Sequence, residues 1–113
     1  MRKVEKPWGH EIIWAETAAY VGKILFIRKG QKLSLQYHNV KEETIYVDSG
    51  SMIFTAGEGD RLIEKKLGPG ESHHIPPLMK HRMEAIEDCT VFEVSTPHLD
   101  DVVRLEDAYG RVR

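Results

Sequence analysis

Short runs in which apolar and polar side chains alternate recur along the chain, separated by glycine, proline and acidic turns. A period of two is the pattern of strands with one covered face. HEIIWAE (10–16), KILFIR (23–28), SMIFTA (51–56), RLIEKKL (61–67), SHHIPP (72–77), HRMEAI (81–86) and CTVFEVS (89–95) all read as strands. KILFIR is apolar on both faces, so cover on both sides is expected. Turns are signalled at Lys29–Gln31, Asp48–Ser51, Gly57–Asp60, Gly68–Gly70 and Glu87–Asp88. Strands at spacings of roughly 8–12 residues, with no long helical stripe between them, predict an all-β sandwich or barrel. The whole chain, 1–113, reads as one domain. Its last part, 97–113, is expected to be a short helix or loop packed on the outside.

The stretch SLQYHNVKEETIY (34–46) concentrates chemistry in this pattern. As a strand it sets Ser34, Gln36 and His38 on one face and Leu35 and Tyr37 on the other. A polar turn follows, and Glu43 opens the next strand on the face of Ile45 and Val47. Pairing of the two as a hairpin would gather Gln36, His38 and Glu43 at one end. An imidazole, a carboxylate and an amide oxygen are metal-ligand types, and the set lacks a further member. Glu43 is preferred to Glu42 because it shares the expected interior face.

Other positions follow from facing direction. Lys23 shares a face with Leu25 and Ile27, where an ammonium could hold a phosphate or hydroxyl. His73 and His74 point to opposite faces, and His74 is the one expected in the pocket. Lys41 and Arg82 are expected near the mouth as substrate-binding groups, although Arg82 alternates away from His81. Leu33, Leu35 and Tyr37 form an outer apolar stripe that predicts a homodimer or a covering N-terminal strand.

Composition narrows the classes. Charged residues make up 30% of the 113 and the formal charge is −2. That balance offers no electrostatic footing for nucleic acid or an anionic membrane. No apolar run approaches the roughly 20 residues of a membrane span, and MRKVEKPWGHE has no signal-peptide core. The single cysteine, Cys89, cannot form an internal disulfide and is expected to be a buried small hydrophobe. These features predict a cytoplasmic protein.

Two spaced segments carry a resemblance. Gly30 to Gly50 contains Gln36-x-His38 and then Glu43, and Gly70 to Pro76 is followed five residues later by His81. They resemble the two motifs of the cupin superfamily, whose jelly-roll barrel, a double-stranded β-helix, holds one metal inside. Gln36 stands where most cupins have histidine. The set Gln, His, Glu, His is similar to the zinc site of mannose-6-phosphate isomerases. KPWG (6–9), Lys23, GQKLSLQYH (30–38), Ile75-Pro76 to His81-Arg82 and DDVVRLEDAYGR (100–111) extend the likeness to the C-terminal isomerase domain of the bifunctional mannose-6-phosphate isomerase/mannose-1-phosphate guanylyltransferase family. The resemblance implies a cupin barrel whose metal ligands are Gln36, His38, Glu43 and His81. It implies one divalent ion, zinc first and Mn, Fe or Ni as alternatives, and a sugar-phosphate substrate. Isomerisation also needs a proton carrier, and Lys23, His74 and Glu93 are the candidates by facing direction. The chain departs from the family at Lys41–Ile45, at Leu78 in place of glycine and at Ala85 in place of asparagine. A cupin that binds metal and sugar without turnover is the alternative. An Fe or Mn oxygenase is a third, disfavoured by Gln36.

Overall fold

Eleven strands form in chain order in the computed structural model, which describes residues 1–111. They are β1 (Arg2–Lys6), β2 (Gly9–Glu16), β3 (Val21–Ile27), β4 (Leu35–Tyr37), β5 (Glu43–Ser49), β6 (Met52–Glu58), β7 (Arg61–Leu67), β8 (Ser72–Ile75), β9 (Lys80–Ala85), β10 (Cys89–Ser95) and β11 (Val103–Glu106). No helix occurs among the described residues, so none there is long and apolar enough to cross a membrane. The strands build two antiparallel sheets, one in the order β1-β2-β3-β10-β5-β8 and the other β11-β4-β9-β6-β7.

The alternation decides which side chains meet between the sheets. In β5, Glu43, Ile45 and Val47 turn inward; in β9, His81, Met83 and Ala85; in β10, Cys89, Val91, Glu93 and Ser95. β3 adds Val21, Lys23, Leu25 and Ile27. Along these rows the character changes from apolar to polar. One end of the interior holds Ile27, Val47, Met52, Ala85 and Cys89, all part of a continuous apolar core. The other end gathers Lys23, Glu43, His81 and Glu93, all buried. Each strand keeps its inward parity while its chemistry switches, so a packed floor supports a polar chamber above it.

Gly50 ends β5 at φ +78°, and a Cβ there would lie 2.1 Å from the Asp88 carbonyl oxygen. Only glycine fits a left-handed turn pressed against another backbone. Cys89 is buried in the core, as expected of a small hydrophobe, and burial raises its thiol pKa to about 11.

Three expectations are corrected. β4 and β5 do not form a hairpin. They belong to different sheets, and residues 38–42 cross between them. Gln36, His38 and Glu43 therefore come from opposite walls. The tail is neither helix nor surface loop: β11 pairs with β4, with Val103 opposite Tyr37 and Arg104 opposite Gln36. Its final residues, Val112 and Arg113, lie outside the described residues. The outer stripe is also not exposed as expected, although Leu35 lies on the outer side beside Arg82 and Glu106. Leu33 belongs to the core, Leu35 is buried, and Tyr37 is half-buried beside β11. The premise for a dimer at that place is therefore missing.

Candidate metal centre

His38, Glu43 and His81 meet inside the polar chamber, all three buried, with one ligand atom from each within 4.8 Å of the others. His81 comes from β9, Glu43 from β5 in the other sheet, and His38 from the start of the crossing between them. Glu43 Oε1 lies 3.3 Å from His81 Nε2 and 3.7 Å from His38 Nε2.

The other ring nitrogens decide what these contacts mean. His38 Nδ1 donates to the Asp101 carbonyl at 2.5 Å, and His81 Nδ1 to the Met79 carbonyl at 3.0 Å. A carbonyl oxygen can only accept, so each Nδ1 carries the proton. In the neutral tautomer, Nε2 is then a lone pair aimed into the chamber. Both Nε2 atoms are buried without a hydrogen-bond partner. Two lone pairs facing a carboxylate repel it unless a positive species sits between them. This is the arrangement of metal-ligating histidines, whose second nitrogen is anchored to a carbonyl. The donor set of two imidazoles and a carboxylate therefore fits a divalent cation.

Gln36 stands directly opposite His81 in the β4–β9 pair, so the two side chains share a face. Its amide oxygen accepts the Ser34 hydroxyl at 2.7 Å. An amide oxygen keeps a second lone pair after one such bond, so the residue retains acceptor capacity toward the chamber.

A buried charge network adjoins the triad. Lys41 Nζ lies 2.9 Å from Glu43 Oε2 and 3.2 Å from Glu93 Oε2. Burial works against its charge, but the Glu93 and Glu43 carboxylates hold the ammonium above the usual lysine range. Burial likewise opposes ionisation of Glu43, yet its carboxyl is held well below the usual range, with the Lys41 ammonium as the fixed positive charge beside it. Glu93 goes the other way: burial, then the Glu43 charge, push its carboxyl up against the pull of Lys41 and Lys23. Farther along the wall, Lys23 Nζ is 3.3 Å from Glu11 Oε1, and both residues are buried.

Two site assignments are corrected. His74 is exposed and pairs with the equally exposed Glu42. The inward histidine is His73, which stands opposite the inward Ile45 and packs on Phe54 with ring centroids 4.7 Å apart. The signal was parity: His73 shares its face with the fully buried Ile75, and His74 with the exposed Ser72. Arg82 also points away from the chamber. Its guanidinium donates to the Leu33 carbonyl and reaches Glu106, on the outer side of the five-stranded sheet. Lys41, by contrast, is buried beside the triad rather than placed at a mouth.

Asp101 escaped the sequence reading. Its carboxylate accepts from three successive backbone N–H groups, those of Asn39, Val40 and Lys41, at 3.0, 2.7 and 2.9 Å. Its carbonyl anchors His38. These bonds hold its carboxyl far below the usual range. The available signal was an acidic pair, Asp100-Asp101, in a tail with no helical stripe. Glu11, the partner of Lys23, was also missed, although it alternates with the outward His10 and Ile12.

Comparison with known proteins agrees with this geometry. Residues 24–95 match the cupin domain family. Xanthan biosynthesis protein XanB of Xanthomonas campestris pv. campestris is 33% identical over 97% of this chain and 24% of its own length. Mannose-1-phosphate guanylyltransferase of Escherichia coli K12 is 34% identical over 98% of this chain and 23% of its own. The chain thus spans about a quarter of the curated relatives it matches, and the matching part is their cupin-like C-terminal region. Among solved structures, KdgF from Halomonas sp. superposes with a TM-score of 0.78 at 22% identity, covering 88% of this chain and 89% of its own. Oxalate decarboxylase of Bacillus subtilis, whose Mn(II) centres have been studied, superposes at 0.79 and 19% identity, over 93% of this chain and 30% of its own.

Proposed function

The chain belongs to the cupin domain family, and from that premise we propose that it is a metal-dependent aldose–ketose isomerase interconverting mannose 6-phosphate and fructose 6-phosphate. The observation that carries the metal is the pair of buried, unpartnered Nε2 atoms facing one carboxylate. The sugar phosphate rests on the relatives: one that shares this region at 34% identity is named for mannose 1-phosphate chemistry.

His38, Glu43 and His81 would hold the cation, with Gln36 beside them on the β4–β9 row. Zinc is the expected ion, because imidazole and carboxylate suit it and an amide in place of a third imidazole favours Lewis acidity over redox chemistry. Such an ion supplies polarisation of the substrate's carbonyl and hydroxyl oxygens. The protein's own part is proton transfer and charge balance. Aldose–ketose interconversion removes a proton from the carbon beside the carbonyl and returns one to the neighbouring carbon. Of Lys23, His74 and Glu93, the exposed His74 drops out. Glu93 is the base of choice: its carboxylate lines the chamber, and burial raises its pKa, the direction that makes a carboxylate a stronger base. Lys41, 3.2 Å from Glu93, sets a fixed positive charge beside a developing enediolate. Lys23 is held by Glu11 and serves the substrate as a hydrogen-bond donor.

A coupled assay for fructose 6-phosphate, run with Zn²⁺ and then Mn²⁺, tests the reading. Turnover that disappears in Glu93→Gln supports it. No turnover with any divalent metal rejects it. One observation favours the non-catalytic alternative: the chamber holds only about 80 Å³, well under the roughly 300 Å³ of the smaller ligand pockets. Thermal stabilisation by sugar phosphates with no product formed would select that alternative.

A further inference from the structure

The sequence of β3 is apolar on both faces, but only its inner face is covered. Every strand among the described residues belongs to one of the two sheets, so no third layer packs on the outside of the six-stranded one. On that outside, the register lines up Ile12, Ile24, Phe92 and Tyr46 as one cross-strand row over β2, β3, β10 and β5. Phe92 and Tyr46 stack with ring centroids 6.0 Å apart, and His10 stacks on Phe26 at 4.5 Å. Trp14 and Val94 are 53% and 54% exposed. An antiparallel sheet that meets water on one face carries polar side chains there. These middle strands instead present an apolar field, and Asp48 is the one carboxylate that alternation turns outward from them.

The face is complementary to itself. Trp14 lies over Gly22, where an added Cβ would be 2.7 Å from the indole. At the opposite end, His10, Phe26, Arg28 and Thr90 line a hollow of about 290 Å³. Gly22 and Phe26 stand two residues to either side of Ile24 on β3, about 7 Å each way. A two-fold axis along the central row therefore sets the indole of each copy over the hollow of the other, as an isologous contact requires. The edges do not oppose this pairing. Lys3 is neutralised by Glu5 at 3.8 Å on β1, and His74 pairs with Glu42 beside β8. At about 4.8 Å per strand and 3.4 Å per residue, the strands make a face of roughly 600 Å². Two copies would bury about 1,200 Å², the size at which stable interfaces begin.

We propose that this chain forms a two-fold dimer through the outer face of its six-stranded sheet, with Trp14 of each copy seated in the hollow beside His10 and Phe26 of the other. A buried aromatic anchor ringed by lesser apolar contacts is the arrangement that dominates interface energies. The side chains of this face point away from the chamber, so pairing leaves the metal centre open. The inference does not depend on the isomerase reading.

Sedimentation equilibrium of the chain tests the dimer. Wild type is expected to dimerise with a dissociation constant in the micromolar range or below, as suits an interface of this size. Phe92→Lys should be monomeric at concentrations about tenfold above that constant, and Trp14→Ala should weaken association at least tenfold, both with the circular dichroism of the wild type. Val94→Lys takes the place of Phe92→Lys if that variant does not fold. Tryptophan emission supplies a second readout, since Trp8 is buried in the single chain. Dilution through the dissociation constant should shift the wild-type emission to the red, and Trp14→Phe should remove the shift. A wild type that stays monomeric at about 100 µM, a hundredfold above a micromolar constant, overturns the proposal. A dimer that neither the lysine variant nor Trp14→Ala weakens also overturns it, because the copies then meet elsewhere.

Discussion

Leu78 is the only non-glycine residue with positive φ among those described, at 72°. It stands where the resembling family has glycine, and its N–H donates to the His38 carbonyl at 2.7 Å. The strained turn therefore braces a metal-ligand segment. A left-handed L-residue costs about 1–2 kcal/mol, and glycine returns about 0.5–1 kcal/mol of that in backbone entropy. The Leu78 side chain is 62% exposed, so little burial is lost with it. Leu78→Gly is expected to stabilise the protein by up to about 1 kcal/mol. A higher denaturant midpoint at unchanged slope is the expected result, and a lower midpoint refutes it. At this scale the sequence was partly readable. Glu43 over Glu42 followed from parity with Ile45, because both sit on one strand. His73 over His74 was open to the same argument, since His73 shares parity with the buried Ile75 of β8.

Among the elements, the tail strand carries more of the site than its composition suggests. β11 begins two residues after Asp101, whose carboxylate ties down residues 39–41 and whose carbonyl orients His38. Asp101→Asn removes the charge while leaving the carbonyl, and positioning partners of this kind typically change metal affinity 10–100-fold. Zinc binding weakened about tenfold in competition with a chelator is expected; unchanged affinity would make Asp101 merely structural. A pH dependence follows from the depressed carboxyl. Its extra stability is complete above the unfolded value of about 4 and is lost as pH falls through the lower folded value. The stability gap between metal-free wild type and Asp101→Asn should therefore be constant near neutrality and close below about pH 4. A gap that widens on acidification contradicts this assignment.

For the molecule as a whole, the triad joins two sheets. Glu43 belongs to the six-stranded sheet and His81 to the five-stranded one, and His38 lies on the crossing. A cation held there would cross-link the barrel's walls at the polar end, where the apolar core contributes least. Ligand linkage makes this worth about 4 kcal/mol when free metal is 1,000 times its dissociation constant. Chelation should lower the melting temperature by several degrees, and Zn²⁺ should restore it. His81→Ala should melt at the same temperature with and without chelator. A melting temperature indifferent to chelation in the wild type rules out a cation bound at the triad.

What the amino-acid order determined by itself was local: where strands run, where glycine and proline stop them, which parity is apolar, and which residues have ligand chemistry. Those properties depend on near neighbours, so they are written in short windows. Tertiary structure decided the rest. Gln36, His38 and Glu43 converge across two sheets and not around a hairpin, since β4 is only three residues long and spends its edges on β9 and β11. Asp101 reaches back some sixty residues to orient His38, and Arg104 is brought opposite Gln36. Such contacts are fixed by strand order and register, which arise from packing of the whole chain and leave no periodic trace along it.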